Sequence, residues 1–213
     1  QTYCNQVTSY IRSLIRKGTL EIGAPVKEVV LSEQLGISRA PIREALQVLV
    51  QEGLITSEPQ KGKHVRQMTG KEIYDSYVVA GILEGAGVAE SLPLWTEANM
   101  ETFRAVVRQM EGKISYATKL DELAEIDELF HATLFMACDN TRLVEMARTS
   151  CATISKYLYY QHWITMFTPR EYADRHHAVA EAVYSRDVKH VETALRDHYK
   201  ETGLRMAQFG KEA

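Results

Sequence analysis

The stretch from Leu31 to Glu52 admits few folds, because two helical segments meet at a single glycine and the second opens with a serine and a proline. The first runs from about Val29 to Leu35 and stops at Gly36. Ser38 is a residue type that caps helices, accepting from backbone N–H groups of the first turn, and Pro41 falls in that turn. The helix that follows, Arg39 to Glu52, aligns Ile42, Leu46, Leu49 and Val50 and ends at Gly53. Upstream, residues 4–17 carry Val7, Tyr10, Ile11, Leu14 and Ile15 at helical spacing. Downstream, Leu54-Ile55-Thr56 and Lys63-His64-Val65 flank Pro59-Gln60-Lys61-Gly62, the pattern of a β-hairpin. Residues 1–68 therefore read as a helix-turn-helix with a hairpin wing.

Beyond Met68-Thr69-Gly70 every periodic stretch is helical. Six helices are expected, at about 70–91, 97–115, 118–137, 141–162, 169–185 and 188–208, with breaks at Pro93, Gly112, Asp139-Asn140 and Thr168-Pro169. The expected fold class is mostly α: a winged helix-turn-helix over 1–68 and an all-helical bundle over 69–213. No apolar run reaches the roughly 18 residues that span a bilayer, and the N-terminus lacks a signal-peptide pattern. A cytoplasmic protein without a membrane partner is expected. Cys4, Cys138 and Cys151 are odd in number and far apart, against a disulfide framework or a thiolate zinc site. Residues 1–68 hold nine Lys/Arg against six Asp/Glu, leaving sixteen against twenty-two for the rest. A basic first part on an acidic body suits a nucleic-acid partner for the first part only.

In a helix-turn-helix the second helix can enter a major groove with its N-terminal residues at base edges. Arg39 and Arg43 lie four apart, opposite Ile42, Leu46 and Leu49, so both guanidinium groups point outward. Arginine suits bidentate contact with guanine, worth about 1–3 kcal/mol of discrimination per pair. Ser38 can fix the phosphate register, and Lys61, Gly62 and Lys63 at the wing suit a minor groove or a phosphate strand. An isolated arginine pair would as readily solvate its helix, with Arg43 pairing Glu44 or Gln47. Here turn, cap, proline and hairpin coincide.

The bundle carries a second constellation. Leu120, Leu123, Ala124, Asp127, His131 and Leu134 share one helix face. His176 aligns with Val179, Ala180 and Val183, and His198 with Val191, Ala194 and Leu195. Three helices thus send ionisable groups inward, where a lone charge is costly. One divalent ion held by Asp127, His131, His176 and His198 would resolve that cost, zinc first, with Ni, Co, Mn or Fe(II) as alternatives. A metal-free polar core is the other reading. His64, His162, His177 and His190 fall outside these faces. A metal-dependent hydrolase would need a base or nucleophile beyond the ligands; no HExxH motif or nucleophile elbow is present, so no enzyme is expected.

The run Ile37-Ser-Arg-Ala-Pro-Ile-Arg-Glu-Ala-Leu46, with Leu31-Ser-Glu-Gln-Leu-Gly36 before it and Glu52-Gly-Leu-Ile55 and Gly62 after it, resembles the N-terminal domain of GntR-type regulators. The resemblance implies that Arg39, Arg43 and Gly62 approach DNA; Val29 stands where some members carry an arginine. Asp-x3-His followed by two histidines 22 apart resembles the FadR-type subgroup with an FCD effector domain, in its shorter six-helix form. That implies a transcriptional regulator, a homodimer on palindromic double-stranded operator DNA. It also implies a metal on Asp127, His131, His176 and His198 and a small carboxylate effector beside it. Many members carry an arginine one turn before the positions of Leu83-Glu84, where this chain has Val79-Ala80. Either another cation, for which Arg148 is a candidate, supplies the charge or the effector is less acidic, and Tyr77 and Tyr157 are candidates to line the effector cavity or simply to pack the core.

Overall fold

A computed structural model describes residues 2–212. Its contacts fall into two units. One comprises the chain up to Thr69 together with Ala152–Gln161 and the stretch from Gly210; the other comprises Gly70–Cys151 and His162–Phe209.

The first unit holds α1 (Tyr3–Arg16), α2 (Glu28–Leu35), α3 (Arg39–Gln51), β1 (Ile55–Glu58) and β2 (Gly62–Val65). Thr2 accepts from the Asn5 N–H to cap α1, and Gly36 ends α2 in the left-handed region at φ 65°. α1 and α3 pack together and bury Val7, Ile11, Ile15, Ile42, Ala45, Leu46 and Leu49. Ser38 occupies the cap position of α3 with extended backbone, but its side chain makes no capping bond. The sequence explains this difference from expectation. A cap side chain accepts from the second or third N–H of the helix, and Pro41, the third residue, removes one of these two partners and leaves only Ala40 N–H. The wing is an antiparallel pair, Ile55 opposite Val65 and Glu58 opposite Gly62, with Gln60 and Gly62 at positive φ around its tip. Ala24–Val26 extends it: Val26 N–H donates to Lys63 O at 2.8 Å and Val65 N–H to Ala24 O at 2.9 Å.

The return of residues 152–161 to this unit has no counterpart in the sequence reading. Ile154, Leu158, Tyr159 and Tyr160 are all buried. The Tyr159 hydroxyl accepts from Met68 N–H at 3.1 Å and donates to Met68 O at 3.3 Å. Thr153 donates to Glu52 O at 3.3 Å, and the Gln161 amide to Arg16 O at 2.8 Å.

In the second unit, α4 (Gly70–Ser91) and a 3₁₀ turn at Leu92–Leu94 lead to α5 (Glu97–Ile114), a 3₁₀ turn at Leu120–Leu123 and α6 (Ala124–Leu134). Then come α7 (Thr141–Ser150), α8 (Tyr160–Met166, entered through the first unit), α9 (Pro169–Tyr184) and α10 (Val188–Ala207). Thr96–Asn99 and Thr168–Glu171 form reciprocal capping boxes at the starts of α5 and α9. Phe103 of α5 anchors an aromatic core, its ring centroid 5.7 Å from that of Trp95 and 5.3 Å from that of Phe130.

Three expectations change. The 118–137 helix is the 3₁₀ turn plus α6, because Thr118 binds Glu122 through its backbone N–H and its hydroxyl and holds the chain out of helix until Leu120. The 141–162 helix breaks into α7, a π-helical turn at Ile154–Leu158, and α8 running on to Met166. Tyr159 N–H bonds Ile154 O at 2.9 Å, five residues back, and the widened turn accommodates the large buried side chains of Leu158, Tyr159 and Tyr160. Finally, α4 with its following turn, Gly70–Leu94, is long and apolar enough to cross a membrane, contrary to the expectation that no run is. Half of its 18-residue apolar window is buried, and the core helix of a bundle passes the same test of length and composition.

α4 and α10 approach closely because glycines face the contact. A Cβ on Gly81 would lie 2.8 Å from Tyr199 Cβ, and one on Gly203 2.8 Å from Tyr77 Cβ. Gly81→Ala is therefore expected to destabilise by about 1–2 kcal/mol, overpacking outweighing a propensity gain of about 1 kcal/mol. Gly112, in α5 with open space around it, gives the control: Gly112→Ala stabilises by about 0.5–1 kcal/mol. Urea unfolding of both variants reads the opposite signs.

Candidate metal centre and DNA-reading face

α6, α9 and α10 bring the four ionisable groups expected inside the bundle to one place. The ligand atoms of His131, His176 and His198 all lie within 4.8 Å of one another. Asp127 joins them, with Oδ1 3.1 Å from His176 Nε2. The i,i+4 spacing of Asp127 and His131 on α6 places both on the face toward α9 and α10.

The outer nitrogens of two rings are anchored. His176 Nδ1 donates to Tyr172 O at 2.8 Å, and His131 Nδ1 faces Glu84 Oε1 at 2.6 Å. Each ring thus keeps its Nε2 toward the cluster, the arrangement by which outer partners orient metal-binding imidazoles. His198 Nδ1 is buried without a hydrogen-bond partner. A buried nitrogen lone pair beside two oriented imidazoles and a carboxylate fits a cation, so the residues present suit a divalent metal.

Without an ion the cluster holds a protonated His131, which a metal would have to deprotonate to use as a ligand. Burial opposes charge on His131, but the Glu84 carboxylate, by charge and hydrogen bond, outweighs it and raises the imidazole to about 9. Burial opposes ionisation of Asp127 too, yet the His176 hydrogen bond and the His131 charge hold its carboxyl below the usual range. Burial lowers His176 and drives His198 well down, helped at His198 by the Arg175 charge. Burial thus favours neutral His176 and His198, while Asp127 keeps its charge beside a protonated His131.

Two neighbours escaped the sequence reading. Glu84, 3% exposed on α4, also accepts from the Tyr199 hydroxyl at 2.7 Å. A single acid between Tyr77 and Ala89 on an apolar helix was the available signal. Arg175, with a side chain 12% exposed, donates to Glu201 at 2.9 Å, to His198 O at 2.5 Å and to Thr202 at 2.7 Å. Nothing in its spacing distinguishes it from an exposed arginine.

Of the residues expected to line an effector cavity, Tyr77 is buried on α4 beside Gly203. Arg148 is exposed on α7, and Tyr157 belongs to the return segment, near Arg12. Tyr157 thus falls in the first unit and the histidine cluster in the second. His176, Val179, Ala180 and Val183 are buried together as expected, whereas His177, His190 and His162 lie partly or fully exposed.

In the first unit, Arg39 and Arg43 project from the start of α3, with side chains 55% and 64% exposed. Neither pairs with Glu44 or Gln47. Both meet Glu28, the first residue of α2: Arg39 Nη2 at 3.4 Å, Arg43 Nε and Nη2 at 3.3 Å each. Lys63 of the wing reaches the same carboxylate at 3.3 Å. Lys61 pairs instead with Glu58 at 2.8 Å at the wing tip, beside Gly62 at φ 83°. Glu28 went unread because its partners lie 11, 15 and 35 residues away.

Comparison with known proteins places both parts. A family model described as "FCD domain" matches residues 75–201, and one described as "Bacterial regulatory proteins, gntR family" matches residues 4–65. A probable D-xylose utilization operon transcriptional repressor of Paenarthrobacter nicotinovorans is 32% identical over 146 residues. The match covers 67% of this chain and 62% of that protein, less than two thirds of its length. The HTH-type transcriptional repressor RspR of Escherichia coli is 26% identical over 193 residues, covering 89% of this chain and 82% of that protein. The solved structure of E. coli McbR/YncC is similar in fold, with a TM-score of 0.71 at 19% identity over 98% of this chain and 99% of that one.

Proposed function

Since the chain belongs to the gntR family of bacterial regulatory proteins and carries the FCD domain, we propose that it is a cytoplasmic homodimeric regulator whose residues 1–68 bind a palindromic operator and whose residues 69–213 sense a small organic acid beside a divalent ion. The convergence of Asp127, His131, His176 and His198, with the outer nitrogens of His131 and His176 anchored, carries the sensing half of this reading. Zinc is the first choice for three imidazoles and a carboxylate. When bound, the ion supplies positive charge and Lewis acidity to an incoming carboxylate.

The chain's own residues do the rest. Glu84 and Tyr172 O fix the ring orientations of His131 and His176. Arg175 supplies the buried cation that is missing at Val79-Ala80; its charge acts on His198, His131 and Asp127. It is a stronger candidate for pairing with an acid than the exposed Arg148. In the reading unit, Arg39 and Arg43 face base edges, while Lys61, Gly62 and Lys63 of the wing and the open first turn of α3 at Ser38 face phosphates. An acid regulates only by binding the DNA-competent and DNA-incompetent arrangements with different affinity.

Elemental analysis of untagged protein, followed by calorimetric titration of small carboxylic acids before and after chelation, tests the reading. About one equivalent of metal per chain and acid binding that disappears on chelation are expected. Unchanged acid binding after complete removal of metal overturns the metal-linked sensor and favours a metal-free pocket.

A further inference from the structure

Glu28 is an acid in the middle of a surface that must face a polyanion. Its side chain is 15% exposed, less than any of the cations around it. Arg39 and Arg43 come from the recognition helix and Lys63 from the wing, so one carboxylate ties together both DNA-facing elements. Burial opposes its ionisation, but the Lys63 hydrogen bond and the Arg43 charge outweigh this and keep the carboxyl below its usual range, so it stays charged near neutrality. Each bond is 3.3–3.4 Å long, beyond the usual N–H···O range and therefore individually weak.

That combination has a consequence for DNA binding. A duplex of the wrong sequence offers phosphates but no guanine edges in register, and toward it the carboxylate offsets the charge of one of the three cations. A matching site offers bidentate partners that replace the long bonds to Glu28 with shorter ones. We propose that Glu28 is a specificity-determining residue, holding Arg39, Arg43 and Lys63 on one carboxylate so that only base edges in register release the two arginines. The inference rests on the DNA-reading assignment above. Glu28 itself touches no base; it acts by positioning and by charge.

The test uses the full-length protein, a duplex that the wild type selects from a random-sequence library, and a shuffled duplex of the same composition. Glu28→Gln is expected to bind the shuffled duplex about tenfold more tightly, to lose about tenfold in discrimination, and to steepen its salt slope by about one unit per protomer. Glu28→Asp, which keeps the charge, stays near wild type in discrimination. Adding Lys63→Met to Glu28→Gln returns the slope toward wild type, because one cation leaves with one anion. Lys63→Met alone gives an arm independent of any part Glu28 plays in folding: it leaves the carboxylate in place with one cation fewer, so the slope should flatten by about one unit per protomer while discrimination does not fall. An unchanged slope in that single variant, or unchanged discrimination in a well-folded Glu28→Gln, overturns the proposal and leaves the DNA-reading assignment standing. A wild-type chain that selects no duplex at all overturns both.

Discussion

Arg39→Ala/Arg43→Ala is expected to bind a selected operator and a shuffled duplex with nearly equal affinity, losing at least about 100-fold in discrimination while keeping its helical content. Each bidentate arginine–guanine pair is worth about 1–3 kcal/mol, and a two-fold dimer uses each residue twice, so the low end of that range already exceeds about two decades. The fold tolerates the change because both side chains are more than half exposed, and the helix they leave is held by Ile42, Ala45, Leu46 and Leu49 from the other side. Their bridges to Glu28 are long and partly solvated, worth at most a few tenths of a kcal/mol each. Electrophoretic shift or fluorescence anisotropy on both duplexes, with circular dichroism alongside, reads the outcome. Retained discrimination in the double variant would mean that α3 is not the reading helix. Lys61→Ala gives the contrast: its partner is Glu58, not a shared hub, so affinity should fall for both duplexes alike.

The reading unit was legible because its signals are local. Gly36 stops α2, Pro41 marks the first turn of α3, and the Pro-Gln-Lys-Gly tip closes a hairpin, each within a few residues of what it controls. Pro41 also shows the limit of such signals, since it removes one of the two N–H groups open to a Ser38 cap, and the cap bond is absent. In the bundle, a period of 3.6 residues was enough to turn Asp127, His131, His176 and His198 inward, because each shares a face with aliphatic neighbours. What periodicity cannot carry is which faces meet. Glu84 finds His131 across 47 residues and Tyr199 across 115, and Glu28 finds Lys63 across 35. Those pairings exist only once helices are packed. The π turn at Ile154–Leu158 was hidden for a related reason: its residues read as ordinary helix, and the chain departs from that geometry where consecutive side chains become buried in the first unit.

The largest effect on the sensing half should come from His176→Ala. Its ring is 1% exposed, 4.7 Å from the His198 ring and 5.6 Å from the His131 ring between centroids, and its Nε2 lies 3.1 Å from Asp127. Losing one of four donors should weaken divalent-ion binding by at least about 100-fold, since even the loss of an outer partner of a ligand costs about 10–100-fold. The substitution also leaves Asp127 Oδ1 without its 3.1 Å partner in a partly buried site, so the variant starts less stable than wild type whether or not metal matters. Stability alone therefore does not decide the question; the response to added ion does. With zinc near 1,000 times its Kd, wild type gains about 4 kcal/mol, or about 8–16 °C in Tm for a chain of this size. His176→Ala should show almost none of that rise, and elemental analysis should find it nearly metal-free. His177→Ala, one residue along and 40% exposed, is the matched control and should keep both the ion and the Tm response. A His176→Ala chain that still carries stoichiometric metal, or a wild type whose Tm ignores every divalent ion tried, would reduce the cluster to a polar core. In that core Asp127 pairs with His176 and Glu84 with His131.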